Sequence, residues 1–286
     1  MYTLLNGKEL SKKIKKEIAK DVADIIDSGK RSPALAVVLV GEDEASKTYV
    51  RNKIKAAKKT GIISHEYKLP ESTTEKELID VIKFLNNDDE VDGILVQLPL
   101  PEHISEEKII NLISPEKDVD GFTPKNTGRF YIGLNSLKPC TPSGIMEFFK
   151  EYDIKTEGKS AVVLGRSNIV GKPIANMLME KNATVTICHS KTQNIKEIVK
   201  NSDIVVSAIG KPEFIKEDWI KEGAVVIDVG INYNEAGKLV GDVDFKNVAD
   251  KCSFITPVPK GVGPMTIAML MKNCLTAYKM RTNYNG

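Results

Sequence analysis

Ser46-Lys47-Thr48-Tyr49-Val50-Arg51-Asn52-Lys53 opens a helix-patterned segment and sets a tyrosine and a lysine four residues apart, hence on one helical face. Val50, Ile54, Ala57 and Gly61 supply a core stripe at i, i+4, i+7 and i+11. At about 100° per residue, Tyr49, Lys53 and Ala56 fall on one flank of that stripe, and Arg51, Lys55 and Lys58 on the other. Lys53 is thus set apart from its basic neighbours, at the border of the core. Partial burial disfavours the charged form of an amine, and a neutral amine is what a general base requires. On spacing alone, a lysine snorkelling at the surface remains the plainer reading. A second stretch, Val96-Gln97-Leu98-Pro99-Leu100-Pro101, ends an apolar strand with an amide and two prolines. Such a stop leaves a polar side chain at the open edge of a sheet.

A third stretch has the order strand, glycine turn, helix: Val163-Leu164-Gly165-Arg166-Ser167-Asn168-Ile169-Val170-Gly171-Lys172-Pro173. It suits a Rossmann turn, with Ser167 where the second glycine of GxGxxG stands. It is not a Walker A loop: five residues separate the glycines, and Pro173 stands where a hydroxyl must hold magnesium. Backbone amides at a helix start still favour a pyrophosphate; a plain strand-to-helix turn fits the local pattern equally well. An NAD site should place Asp or Glu roughly 20 residues on, at the end of the second strand. Here that strand ends Ile187-Cys188-His189-Ser190-Lys191-Thr192, without an acid. Arg166, Ser190 and Lys191 suit a 2′-phosphate, so NADP is the expected cofactor. As a bare pattern, Asp118-Val119-Asp120-Gly121 is a turn that lacks the later ligands of a calcium loop. Pro257-Val258-Pro259-Lys260-Gly261-Val262-Gly263-Pro264 is rigid and glycine-bearing, able to bring backbone close to a ligand. No HExxH, GxSxG or Cys-His pairing occurs, so no metal site is expected.

The elements that must position these residues alternate β-branched apolar runs with helix-period segments, the pattern of parallel α/β architecture. Helices are expected over 8–28, 45–60, 74–85 and 105–113, with strands at 35–40, 66–69 and 93–97. A polar, turn-rich segment, 114–141, separates the halves. Strands follow at 160–165, 184–189, 204–209, 224–229 and 254–258, with a hairpin around Asn234-Glu235-Ala236-Gly237 and a last helix that has Pro264 in its first turn. The expected division is a first domain of residues 1–120 plus a C-terminal helix over about 265–286, and a Rossmann-type domain over 140–264.

Composition fits that plan. The 286 residues carry 41 basic and 39 acidic side chains, a net charge of +2 that gives no reason to expect nucleic acid. Cys140, Cys188, Cys252 and Cys274 are scattered, which argues against a disulfide framework and for a reducing cytoplasm. The N-terminus has no apolar signal core, and no run approaches membrane-spanning length.

Taken in order, Tyr49-Val50-x-x-Lys53, Gly93-Ile94-x-Val96-Gln97-Leu98-Pro99-Leu100-Pro101, Lys117-Asp118-Val119-Asp120-Gly121-Phe122, Pro139-Cys140-Thr141-Pro142, the Gly165 turn and Gly261-Val262-Gly263-Pro264-Met265-Thr266 strongly resemble the bifunctional methylenetetrahydrofolate dehydrogenase/methenyltetrahydrofolate cyclohydrolase family. The resemblance spans nearly the whole chain. It implies two α/β domains with a folate cleft between them, the last helix packed on the first domain, and a homodimer. It further implies oxidation of methylenetetrahydrofolate with NADP and hydrolysis to 10-formyltetrahydrofolate, in the one-carbon metabolism that supplies purine and related biosynthesis. Carried over by position, Lys53 is the catalytic lysine, Tyr49 its neighbour against the folate, Gln97 the residue that orients Lys53, and Asp120 the anchor of the pterin. Leu98, Pro259, Gly261 and Gly263 join the folate site, while Gly165, Arg166, Ser167, Ser190 and Ile231 contact the cofactor. The chain departs from the family in having Lys260 where a glycine is usual, and in a slightly longer stretch over 133–138. The competing readings are another NADP oxidoreductase of the shikimate or amino-acid dehydrogenase type, and a non-catalytic nucleotide-binding module.

Overall fold

Ala34–Val40 is built from Ala, Leu and Val and is buried along its whole length. It is the middle strand of a three-stranded parallel sheet, between Ile63–Leu69 and Gly93–Val96, and a parallel strand covered on both faces needs apolar side chains on both. Ala36, Val38 and Val40 face Leu78, Ile82 and Leu85 of helix Glu75–Asn87 and Ile109 of helix Glu106–Leu112. Helix Glu75–Asn87 starts at a capping box, in which the Thr74 hydroxyl accepts from the Glu77 N–H and the Glu77 carboxylate accepts from the Thr74 N–H.

The computed structural model describes residues 1–284, and the chain divides into two units. One comprises Lys12–Cys140 with Ile267–Gly286, the other Met1–Ser11 with Thr141–Thr266. They are termed here the Lys53 unit and the Gly165 unit. Residues 285 and 286, counted with the last helix in the sequence reading, lie outside the described residues. Helix Val262–Thr282 sends its later turns into the Lys53 unit. There Arg281 Nη1 donates to Asp92 Oδ1 at 2.8 Å, and Arg31 Nη1 donates to Asp92 Oδ2 at 2.7 Å. Asp92 is fully buried, so this double pairing removes an otherwise uncompensated charge.

The Gly165 unit holds a six-stranded sheet in the order Thr3–Leu4, Cys252–Ile255, Ala224–Asp228, Ile204–Ser207, Ser160–Leu164, Thr184–Cys188, parallel throughout. From Ser160–Leu164 the chain first adds Thr184–Cys188 on one side and then returns to add Ile204–Ser207 on the other. In open α/β sheets that reversal marks the crevice where ligands bind, beyond the carboxyl ends of the strands.

Both units are α/β with parallel main sheets, as the periodicity predicts, the expected hairpin pairs Asn232–Tyr233 antiparallel with Leu239–Val240, and the differences are local. Met1–Ser11, counted with the first half in the sequence reading, groups with the Gly165 unit because Thr3 and Leu4 pair with Phe254 and Ile255. The edge strand begins at Ile63, earlier than its apolar pattern suggests, because an edge strand need not be apolar on both faces. The segment read as turns contains helix Pro124–Tyr131, and the Pro-Cys-Thr-Pro turn is the first turn of helix Cys140–Glu151. Helix Pro124–Tyr131 carries Asn126, Thr127 and Gly128, all poor helix formers. It is held by burial of Phe130 and by Asn126 Nδ2, which donates to the Pro115 carbonyl at 2.7 Å.

Candidate active site

Helix Glu44–Thr60 presents Tyr49 and Lys53. Asp43 caps it, its side chain accepting from the Ser46 N–H at 2.7 Å, and Gly61 ends it in the left-handed conformation. The buried residues are Ser46, Val50, Ala56, Ala57 and Thr60, while Ile54 is only half-buried. The core stripe is therefore rotated from the expected one, toward the flank that carries Lys53. Lys53 is half-buried, whereas Arg51, Lys55 and Lys58 stand exposed.

Gln97 follows the end of strand Gly93–Val96, fixed by its N–H to the Val38 carbonyl at 2.8 Å. Its Nε2 donates to the Leu98 carbonyl at 2.6 Å, which turns Oε1 toward Lys53, and Lys53 Nζ donates to that oxygen at 3.0 Å. A helix and a sheet edge thereby hold the lysine against a neutral acceptor. Tyr49, one turn before Lys53, is 43% exposed.

The two acids of Asp118-Val119-Asp120-Gly121 do different work. Asp118 is buried and accepts from the N–H groups of Gly121, Phe122 and Thr123 and from Asn126 Nδ2. Those bonds fold the turn that presents Asp120. Gly121 has φ +74°, and a Cβ there would stand 2.6 Å from the Lys138 carbonyl carbon. Asp120 itself accepts no hydrogen bond from any described residue. It shares a small recess with Ile94, Val96, Leu98 and Phe122. Burial pushes its carboxyl up to about 6, opposed by the Lys53 charge and reinforced by Asp118.

In the Gly165 unit, Gly165 has φ +112°, and a Cβ there would meet the Ala208 carbonyl oxygen at 2.4 Å. A Cβ at Gly171 would meet the Gly165 carbonyl oxygen at 2.3 Å. These are the tight turn and the close helix–strand packing that a dinucleotide fold asks of its first and third glycines. Ser167, at the second position, accepts from the N–H groups of Val170 and Gly171, just before and at the start of helix Gly171–Glu180. Arg166 is exposed beside it. After the second strand, the Lys191 N–H donates to His189 Nδ1 at 3.2 Å, closing a turn whose tip exposes Ser190 and Lys191. Ile231 is 53% exposed. At Gly261 a Cβ would meet the Pro257 carbonyl oxygen at 2.3 Å, while nothing lies within 4 Å of one at Gly263. Lys260, after Pro259, has φ +80°. Among the described residues no helix is long and apolar enough to cross a membrane, and no group of three or more His, Cys, Asp or Glu side chains could hold a metal ion.

Residues 5–120 match the catalytic domain of tetrahydrofolate dehydrogenase/cyclohydrolase, and residues 139–282 match the NAD(P)-binding domain of the same enzymes. The chain belongs to the tetrahydrofolate dehydrogenase/cyclohydrolase family. It is 61% identical to the bifunctional protein FolD of Campylobacter hominis, over 97% of this chain and 98% of that one. The crystal structure of the bifunctional FolD enzyme of Campylobacter jejuni superposes with a TM-score of 0.96 at 49% identity, covering 98% and 100% of the two chains. The dehydrogenase-cyclohydrolase of Trypanosoma brucei, in complex with NADP cofactor and an inhibitor, superposes with a TM-score of 0.93 at 40% identity, covering 98% of each chain.

Sequence reasoning missed two residues that shape the Asp120 turn of this tetrahydrofolate dehydrogenase/cyclohydrolase. Asp118 carried only part of a signal: an Asp can fold its own backbone by accepting from N–H groups a few residues on, here those of Gly121, Phe122 and Thr123, but the local pattern does not say which of Asp118 and Asp120 does so. Asn273 carried little: it is one amide on a long helix, yet its Nδ2 donates to the carbonyls of Val119 and Lys138 at 2.8 Å each. Lys117, a family marker, is buried and donates to the Leu85 and Asp88 carbonyls at the end of helix Glu75–Asn87, a structural role.

Asp120 has a consequence for stability. Its folded carboxyl titrates near 6 against an ordinary value of 3.8, so the folded state binds the extra proton and loses stability as pH rises through that interval. Asp120→Asn should therefore be more stable than wild type above pH 6, by up to about 3 kcal/mol, and equal to it below pH 4. Urea unfolding across that range checks it; a difference that does not change with pH would contradict the assignment.

Proposed function

We propose that this chain oxidises 5,10-methylenetetrahydrofolate with NADP and hydrolyses the methenyl product to 10-formyltetrahydrofolate, with Lys53, Gln97, Asp120 and Tyr49 as its working side chains. The observation that carries this reading is the 3.0 Å contact from Lys53 Nζ to Gln97 Oε1 within electrostatic reach of an Asp120 that no protein donor satisfies. Gln97 Oε1, an uncharged acceptor, orients the Lys53 amine without adding a second carboxylate beside it.

Asp120 accepts two hydrogen bonds from the N–C–N edge of the pterin, for which a carboxylate is the matching acceptor. Tyr49 lies along the folate, and Leu98, Pro259, Gly261 and Gly263 line it. NADP, held by Gly165, Arg166, Ser167, Ser190 and Ile231, supplies the acceptor for the hydride of the methylene carbon. That step asks the protein chiefly for placement. The resulting methenyl cation is electrophilic enough to need no protein nucleophile. In hydrolysis the oxygen of water adds to the cationic carbon and the neutral Lys53 amine takes the proton of that water. That proton passes to the ring nitrogen as its bond to the carbon breaks, while the hydroxyl left on the carbon gives its own proton to solvent and becomes the formyl C=O on the other nitrogen, so that one proton is released overall. The family rules against the shikimate-type alternative.

A lost general base costs roughly 10²–10⁴-fold. Lys53→Gln should therefore abolish cyclohydrolase activity while hydride transfer falls far less; equal losses in a folded variant would overturn the role.

Preference for NADP over NAD rests on the turn after the second strand, which has no acid and exposes Ser190 and Lys191. Lys191→Ala should raise KM for NADP about tenfold, the loss of one charge-assisted contact, and hardly move KM for NAD. A wild-type kcat/KM equal for both cofactors, or higher with NAD, would contradict this.

A cytoplasmic homodimer completes the reading. All four cysteines are free and buried, in keeping with a reducing compartment. Thr184–Cys188 ends its sheet with one side unpaired, and Ile187 and Met179 are 39% and 59% exposed, a surface suited to a second copy. Sedimentation should give twice the mass of the chain; a monomer at micromolar concentration would refute the dimer.

A further inference from the structure

Two carboxylates lie one against the other beyond the sheet of the Gly165 unit, with exposures of 3% for Asp228 and 0% for Asp242. Neither has a cation within hydrogen-bond reach. Asp242 Oδ2 accepts from Ser207 Oγ at 3.0 Å and from the Ile209 N–H at 2.8 Å, and its Oδ1 accepts from the Lys211 N–H and from Asn232 Nδ2, each at 2.9 Å. Asp228 Oδ1 accepts from the N–H groups of Asp242 and Gly230, and its Oδ2 from the Val243 N–H, all at 2.9 Å. The enclosure is tight. A Cβ at Gly230 would stand 2.4 Å from Asp242 Oδ1, and one at Gly241 would stand 1.8 Å from Asp228 Oδ2.

The donors to Asp242 come from the end of strand Ile204–Ser207 and the loop after it (Ser207, Ile209 and Lys211) and from Asn232, beyond strand Ala224–Asp228, at the carboxyl edge next to the switch point. The first loop backs the Gly165 turn, since the Ala208 N–H donates to the Leu164 carbonyl at 2.8 Å and the Ala208 carbonyl oxygen faces Gly165. The second loop carries Ile231, flanked by Gly230, which is tied to Asp228, and by Asn232, which is tied to Asp242. A buried, unpaired acid is a poor device for stability alone, because apolar packing of equal volume serves at least as well. What Asp242 does supply is four fixed directions from a single acceptor-only group.

We propose that Asp242, backed by Asp228, is a positioning residue for the cofactor: it sets the 208–211 loop and the Ile231 loop at one separation, and with them the Gly165 turn. This rests on the reading of the unit as an NADP site. Asparagine in its place keeps the volume but aims an amide NH₂ at two of the four donors, which must splay one loop.

The test uses the full-length protein, with NADP titrated by calorimetry, hydrolysis of methenyltetrahydrofolate assayed without NADP, and thermal unfolding. Asp242→Asn should weaken NADP binding about tenfold to a hundredfold and raise KM for NADP more than it lowers kcat. The hydrolysis, which uses Lys53 in the other unit, should keep its wild-type rate. A folded variant that binds NADP as wild type does would overturn the proposal, as would a parallel fall in both activities, the mark of a merely structural role. If Asp242→Asn does not fold, Asn232→Ala decides, because it removes one donor and leaves the other three. A KM for NADP raised about threefold or more supports the proposal, and an unchanged KM overturns it. Wild-type protein that fails to bind NADP would instead sink the reading beneath the proposal, and the proposal with it.

Discussion

A carboxylate taken out of water must be surrounded by donors or paired with a cation. Much of the local shape of both units follows from how this chain meets that requirement. Among the described residues Asp92 is the one buried acid met with cations, and Arg31 and Arg281 on its two oxygens hold the end of the last helix to the Lys53 unit. Asp118 and Asp242 are each met with four donors, three backbone N–H groups and an amide side chain for Asp118, two backbone N–H groups and two side chains for Asp242. Backbone N–H groups drawn to one carboxylate can no longer wander, so Asp118 fixes the 121–123 turn and Asp242 the loop after strand Ile204–Ser207. Half-buried Asp120 is the exception: none of the described residues donates to it, which is why it is the acid proposed to anchor the pterin.

Around it the structure relies on regular elements for precision. Lys53 rises from a helix with a capped start and a left-handed glycine stop, and Gln97 from the end of a strand pinned to the buried middle strand. Side chains on such elements hold their geometry better than side chains on loops. The Gly165 turn reaches the same end through contact. Glycines at 165 and 171 admit carbonyl oxygens that a Cβ would strike, so helix and strand pack without slack where a pyrophosphate needs free N–H groups.

The parts legible in the sequence are those governed by periodicity and by single-residue geometry. The Tyr49–Lys53 pair, the amide closing a buried strand, the strand-turn-helix at Gly165 and the acid-free second strand all lie within short windows. The parts that were not legible depend on partners distant in the chain. Helix Pro124–Tyr131 has poor helix formers and persists because Phe130 is buried and Asn126 reaches Pro115 and Asp118. The sorting of Asp118 from Asp120 needs the three-dimensional turn, since both precede apolar or glycine residues in an identical local pattern. Thr3 and Leu4 make too short a strand to show alternation, and their pairing with Phe254 and Ile255 spans nearly the whole chain.

Two of the places where this chain breaks a local rule lie at its candidate sites, as expected when function and stability make opposed demands. Asp120 sits where burial raises its carboxyl to about 6, so at neutral pH the folded state carries a charge that the unfolded chain would hold in water. Lys260 adopts φ +80°, a conformation that costs an L-residue with a Cβ roughly 1–2 kcal/mol. Lys260 keeps the geometry because its carbonyl accepts from the Lys8 N–H at 3.0 Å and because Gly261, next to it, fits only without a Cβ against the Pro257 carbonyl. The loop's shape is thus imposed from both sides by backbone contacts, and the identity of the side chain at 260 alters its cost more than its form.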